Sequence, residues 1–227
     1  AAIMVTAMIM NQRPSVELLL ISPTMQIAGI AFAQAWGIIK ADGVLSKLFH
    51  VQEHNRRITY KTSNAVLMIK AAEGDVITGT KAAYVLIDET HEFARKTHAD
   101  GVFVELRGGL ASRPEGFLMQ ITTQSKTPPA GVFKRELEQA RAVRDGTLRL
   151  PLLPILYELP EEMASRWQDP VTWPMVNPNL DRSVSKAFLE NQLVRARDAG
   201  ARELALFASQ HFNVEIGVGL GGGWAGR

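Results

Sequence analysis

Two stretches of this chain, Leu18-Leu19-Leu20-Ile21 and Tyr84-Val85-Leu86-Ile87, are apolar at every position. A strand with one face in water alternates apolar and polar residues, so a run without a polar position has to be covered on both faces. Strands of that kind belong to parallel sheets, whose crossover helices supply the cover. The surrounding sequence alternates accordingly. Residues 2–10 read as a helix, 16–21 as a buried strand, and 25–41 as a second apolar helix after the turn Ser22-Pro23-Thr24. Residues 57–60 and 66–69 read as a hairpin around Ser63-Asn64, and 84–88 as another buried strand. A helix over 100–110, a strand over 116–122, a helix over 132–144 and a strand over 152–157 follow. The expected fold class is α/β, a three-layer sandwich around a mostly parallel central sheet.

After Pro160 the character changes, with Pro170, Pro174 and Pro178 close behind, a poor substrate for regular structure. Helices resume over 185–199 and 201–210, broken at Gly200. The expected division is an α/β core over 1–158 and a small helical linker subdomain over 159–227. The composition is that of a globular chain: 46% hydrophobic and 21% charged over 227 residues. A net charge of +2 gives no bulk signature of nucleic-acid binding. The lack of cysteine excludes disulfides and thiolate metal sites. Ser22-Pro23-Thr24 and Gln26 interrupt the apolar stretch 16–39 well short of the ~20 residues a membrane span needs. Residues 1–10 lack the basic flank of a signal peptide. Both ends read as cut, one opening in helix-like sequence without a cap and the other closing on the glycine-rich stretch 219–227.

The strand 84–88 ends in two acids, Asp88 and Glu89. Ligands of open α/β sheets bind in the crevice at the carboxyl ends of the strands. Phosphoryl transfer to water needs Mg²⁺ to neutralise phosphate charge and a group to orient the attacking water. An Asp at the tip can hold the hydration shell of Mg²⁺, and the Glu after it can polarise the water. Two solvated acids at a strand end are an equally fair reading of the hexapeptide alone. The next strand shifts the balance, because it leads into Thr122-Thr123-Gln124, three hydrogen-bonding side chains at another tip. Gln124 is thereby expected beside Glu89, able to sense a γ-phosphate.

A phosphate-cradling loop requires G-x-x-x-x-G-K-[S/T] opening a helix. The nearest match, Gly74 to Lys81, has its Thr and Lys in the wrong order and precedes a strand instead, so it reads as a turn. Helix 2–10, buried and rich in small residues, is what would follow such a loop. The expectation is a P-loop NTPase-like core whose phosphate loop lies outside these residues.

The ordered series resembles the large terminase subunit of tailed bacteriophages, in particular its HK97-like branch. It comprises the first helix, Leu18 to Thr24 with Gln26, Val85-Leu86-Ile87-Asp88-Glu89-Thr90-His91, Gln120 to Gln124, Trp173 to Leu180 with its Asn177-Pro178-Asn179, and Phe207 to Asn213. The resemblance implies a motor that hydrolyses ATP with Mg²⁺ to pump double-stranded DNA into a procapsid. It implies Asp88 as the metal-holding Walker B residue, Glu89 as catalytic base, and Thr122, Thr123 and Gln124 as the motif coupling hydrolysis to movement. Its implied partners are the portal protein, the small terminase subunit and further copies in a ring, in the host cytoplasm at the portal. The Walker A loop and the nuclease domain of that family are missing from the chain, which is therefore expected to be inactive by itself.

Arg56, Arg57, Arg107 and Arg113 are candidates for an arginine reaching a neighbour's phosphates or DNA. Arg107 and Arg113 flank Gly108-Gly109, read as a mobile loop. Lys134, Arg135, Arg141 and Arg144 read as an ion-paired solvated face with Glu136 and Glu138. The five histidines lack metal spacing, and His91 is expected to line the site in a capping or hydrogen-bonding role. Trp173 and Trp224 read as packing residues. Asp88-Glu89-Thr90-His91 also fits the D-E-x-H pattern of superfamily 2 helicases, and a catalytically inactive prophage remnant is the third reading.

Overall fold

A computed structural model describes residues 1–72, 81–95 and 99–217. The turn 74–81 therefore lies outside them apart from Lys81, as do His98 and Trp224. The chain forms two compact units, 1–122 and 123–227.

The first unit opens with helix α1 (Ala2–Met10), then strand β1 (Glu17–Ser22). Helix α2 (Met25–Ala41) begins where Thr24 Oγ1 accepts the Ile27 amide at 3.3 Å, satisfying a donor that the first helical turn leaves open. A short helix α3 (Leu45–Leu48) leads into β2 (Phe49–Gln52), β3 (Arg57–Tyr60) and β4 (Ala65–Ala71). Strand β5 (Tyr84–Asp88), helix α4 (Ala99–Leu110) and strand β6 (Phe117–Ile121) complete the unit. The sheet order is β2-β3-β4-β1-β5-β6. The pairs β4–β1, β1–β5 and β5–β6 are parallel, and the β2-β3-β4 edge is antiparallel.

Both apolar runs sit in the middle of this sheet, paired Leu18↔Tyr84 through Ile21↔Ile87. Leu18, Leu20, Leu67, Ile69, Tyr84 and Leu86 share a core with Met4, Val5 and Met8 of α1 and Ala28, Phe32 and Ala35 of α2. The opposite face is sealed too, with Leu19, Ile21, Val85 and Ile87 at 0% exposure. That double burial is why neither run contains a polar residue.

Gly116 shows how tightly β6 is seated. The Phe117 amide donates to Ala83 O at 3.1 Å, and a Cβ on Gly116 would lie 2.2 Å from that carbonyl. Gly116→Ala is expected to destabilise the chain by about 1–3 kcal/mol, since the clash is with backbone that no rotamer change relieves. An unchanged urea midpoint would show that the start of β6 is free to shift.

The second unit contains α5 (Gly131–Arg144), α6 (Trp173–Val176), α7 (Lys186–Ala199) and α8 (Ala201–Phe212). Its core gathers Trp167, Trp173, Val176, Leu189, Leu193, Phe207 and Phe212. Trp173 is fully buried and packs, as its sequence context suggested. Residues 152–157 are not a strand; they run without regular structure. Pro151 and Pro154 remove amide donors from the segment, which a ladder requires. The division between units also falls earlier than the proline cluster. Asn213 Nδ2 donates to Tyr157 O at 2.9 Å, and Gln210 Nε2 donates to Gln124 O at 3.0 Å, tying 124–158 to α8. Arg141 draws its partners from outside its own helix, with Glu158 and Glu215 each at 2.8 Å. Lys134 and Glu138, 3.8 Å apart, form a pair of the expected kind along α5. No helix of the described residues is long and apolar enough to cross a membrane.

Candidate active site

Asp88 is the last residue of β5, paired with Ile121 of β6. Side chains alternate along a strand, so Asp88 continues the face of Tyr84 and Leu86, and Ser22 continues that of Leu18 and Leu20. One step beyond the paired Ile21 and Ile87, these two residues stand at adjacent carboxyl tips on the α1 side of the sheet. Burial pushes the Asp88 carboxyl above the ordinary aspartate range, and the charge of Glu89 adds to this. A backbone hydrogen bond at Glu89 pulls the other way.

Ser22 is fully buried and its Oγ has no hydrogen-bond partner among the described residues; Thr90 Oγ1, in a residue 1% exposed, has none either. An unsatisfied buried hydroxyl costs about 1–3 kcal/mol, and native folds keep one only where something compensates. Sequence reading passed over Ser22, which looked like one residue of a turn. Its only available signal was its position at the end of an apolar strand.

Because Asp88 titrates high in the fold, its ionisation opposes folding. Its contribution is favourable below the unfolded-state value of 3.8 and is lost as pH rises through the elevated folded value. Asp88→Asn is therefore expected to raise the melting temperature at pH 7, with the gain vanishing below pH 3.8 where both side chains are neutral. A lower melting temperature at pH 7 would show that the carboxylate is a structural anchor.

Glu89 follows in the left-handed region at φ 53°. Such a conformation in a non-glycine residue costs on the order of 1 kcal/mol and tends to mark functional turns. Its carbonyl accepts the Glu92 amide at 2.9 Å, opening a 3₁₀ turn over Thr90–Arg95. That turn carries His91 back over the sheet. The His91 amide donates to Thr122 Oγ1 at 3.1 Å, and its Nδ1 lies 3.0 Å from the same hydroxyl. Nδ1 is also 3.2 Å from Glu89 Oε2, and Nε2 is 3.2 Å from Glu92 Oε1. The structure thus brings Asp88, Glu89, His91 and Thr122 to one end of the sheet.

The boundary between the two units falls inside the Thr122-Thr123-Gln124 motif. Thr123 is exposed, while Gln124 is 5% exposed and its Oε1 accepts the Ser125 amide at 2.9 Å. The Gln124 carboxamide oxygen is thus occupied locally.

The arginines separate clearly. Arg113 lies before β6, at the amino ends of the strands, where it lines a cleft of about 400 Å³ with Arg13, Glu17 and Lys81. Its Nη1 donates to Gly109 O at 2.7 Å. Gly108 and Gly109 belong to α4, so they are not a loop; the helix simply runs through them. Arg107 holds its guanidinium 5.8 Å from the Phe103 ring centroid. Arg57 begins β3 and Arg56 immediately precedes it, both at the carboxyl end of β4, the end shared with Asp88. Arg56 O accepts the Ile69 amide at 3.2 Å, and its Nη2 lies 3.4 Å from Met25 Sδ.

Among the described residues no three His, Asp or Glu side chains converge as a metal cage. Mg²⁺ with a nucleotide ordinarily needs only one or two carboxylates, with phosphate and water completing the shell. Asp88, partly desolvated beside a second acid and next to the unpartnered Ser22 hydroxyl, fits such an ion.

No family model matches the sequence. A curated protein of Escherichia coli (strain K12), Protein YmfN, is 26% identical over 136 residues, covering 60% of this chain and 28% of its own length. The chain thus spans little more than a quarter of that relative. Among solved structures, the HK97 bacteriophage large terminase aligns over 88% of this chain and 40% of its own, with a TM-score of 0.68 at 16% identity. The large terminase ATPase domain of Thermus phage P74-26 aligns over 93% of this chain and 80% of its own, with a TM-score of 0.55 at 13% identity. The fold expected from the sequence is borne out: the chain has the α/β fold of the ATPase domain of phage large terminases.

Proposed function

We propose that this chain is part of a DNA-packaging motor that couples ATP hydrolysis to the movement of double-stranded DNA into a procapsid. The observation that carries this reading is the partly desolvated acid pair Asp88-Glu89 at the tip of β5, in a parallel sheet covered by the buried helix α1. Acids at the carboxyl tip of a parallel strand stand where ligands of such sheets bind, and a partly desolvated one is suited to a cation. The phosphate-cradling loop is proposed to come from protein outside these residues.

Asp88 and Ser22 would hold Mg²⁺ through its water shell, and the bound ion would neutralise phosphate charge. Glu89 then serves as the base that orients a water and takes its proton. Burial of Asp88 leaves it poorly solvated, so it exchanges hydration for a cation at little cost. The portal protein, a small terminase subunit and further copies in a ring are the partners this reading calls for. Arg56 joins Arg107 and Arg113 as a residue to test for action across such a ring.

The test is hydrolysis of Mg·ATP by the full-length gene product with and without double-stranded DNA. Asp88→Asn should raise the Mg²⁺ concentration for half-maximal rate at least about tenfold, the loss of one charged ligand contact. A full-length product that neither binds nor hydrolyses ATP under any of these conditions would exclude the motor reading.

A further inference from the structure

We infer that the antiparallel edge β2-β3-β4 binds the phosphate backbone of a DNA duplex, on the sheet face turned away from α1 and α2. That the duplex is the motor's cargo rests on the proposed function, whereas the binding itself is measurable without ATP. The chain carries only +2 in total, yet residues 40–71 hold six basic side chains, Lys40, Lys47, Arg56, Arg57, Lys61 and Lys70, against two acids. One of those acids is already engaged, since Asp42 Oδ1 accepts the amides of Val44 at 2.8 Å and Leu45 at 2.9 Å. The other, Glu53, lies in the turn between β2 and β3. Positive charge that disappears in the total is thus gathered on one segment, and such a patch attracts a polyanion.

Register decides which of these groups share a surface. Ile58 and Leu67 are paired, and both belong to the core shared with α1 and α2. Side chains alternate along a strand, so Arg57, Thr59 and Met68 stand on the opposite face, which pairing extends to His50 and Gln52 of β2. Lys70, two residues beyond Met68, lies on the same face. Its diagonal from Arg57 spans about 7–8 Å, the scale on which phosphates follow one another along a DNA strand. Over β1 and β5 this face is sealed, but here Arg57 and His50 are exposed and Gln52, Thr59 and Met68 half-buried. The Arg57 guanidinium has no ion pair among the described residues. The one acid of strands β1 to β4, Glu17, shares the face but lies at the amino end of β1, paired with Val66 and two strands from Arg57. Gln52 and Thr59 add hydrogen-bond donors of the kind that hold phosphate oxygens. The face offers no platform for unpaired bases, because the two aromatics of these strands, Phe49 and Tyr60, turn to the core with their rings 4.9 Å apart. Charge without aromatics fits the backbone of a duplex, read without regard to sequence.

The full-length product, without nucleotide, is titrated into a fluorescently labelled DNA duplex at several salt concentrations. Affinity should be the same for unrelated sequences, and its logarithm should fall linearly with the logarithm of salt concentration. Arg57→Ala should weaken binding about tenfold at low salt and reduce that slope by about 0.9, the loss of one phosphate contact. Gln52→Glu, which adds a negative charge opposite Arg57 without changing side-chain size, should weaken binding at least as much. It decides the matter by itself should Arg57→Ala fail to fold. Lys186→Ala removes a charge from α7 in the second unit and should alter neither quantity. Wild-type affinity and slope in both Arg57→Ala and Gln52→Glu would overturn the inference, as would tighter binding of the single strand than of the duplex. If the product binds duplex through this face yet hydrolyses no ATP, the motor reading fails while the DNA contact stands. Hydrolysis of ATP with undiminished DNA affinity in both variants removes the contact and leaves the motor reading.

Discussion

Glu89→Gln is expected to lower the hydrolysis rate of the full-length product roughly 10²- to 10⁴-fold, the usual loss when a general base is removed. Nucleotide affinity should be unchanged, because in the proposed mechanism Glu89 would act on the attacking water and not on the phosphates. The substitution is well suited to the site, since Gln keeps the length of the side chain. Its carboxamide is nearly isosteric with the carboxylate and fits beside His91 Nδ1, which lies 3.2 Å from Glu89 Oε2. The left-handed backbone at φ 53° is a property of the turn and survives the change. Only the ability to take a proton is lost. Steady-state hydrolysis together with equilibrium binding of a nucleotide separates the two effects. Turnover surviving in Glu89→Gln would remove Glu89 from the base role and leave proton acceptance to the phosphate itself.

The largest stability effect is expected in the second unit. Trp173→Ala should cost about 3–5 kcal/mol, the range for deleting a buried aromatic side chain. Trp173 is fully buried with its ring centroid 5.1 Å from that of Phe212, which is itself 1% exposed. Its Nε1 donates to Trp167 O at 2.9 Å, so the substitution leaves both a cavity and a buried carbonyl without its donor. The adjoining Asn177 Nδ2 donates to His211 O at 2.9 Å, fastening the end of α6 to α8. Set against a typical total of about 5–15 kcal/mol, such a loss would bring the chain close to unfolding. Urea denaturation followed by near-ultraviolet dichroism measures it. A change below about 1 kcal/mol would mean that the surrounding side chains collapse into the space.

These two effects differ in how far the sequence foretold them. The strands β1 and β5 were legible because burial on both faces removes every polar position, a one-dimensional signature. Helix α2 was legible from Thr24 and the apolar residues after it. By contrast β2, four residues with only Phe49 buried, left no mark, because its strand character comes from pairing with β3. Residues 152–157 carried the composition of a strand, yet Pro151 and Pro154 leave them without a ladder. Gly108-Gly109 suggested a loop, but the helical turns on either side absorb them at a modest propensity cost.

At the site, the order of chemistry along the chain was readable and its convergence was not. Asp88 and Glu89 at the end of an apolar strand, the threonines after the next strand, and the packing role of Trp173 all follow from local sequence, since burial and strand ends are local properties. Which arginine lies at the carboxyl edge, that Ser22 is buried beside Asp88, and that His91 spans Glu89 and Thr122 follow from strand order and register. A charge or a hydroxyl carries no direction in one dimension; it acquires a partner only when parallel strands bring residues far apart in sequence to the same end of a sheet.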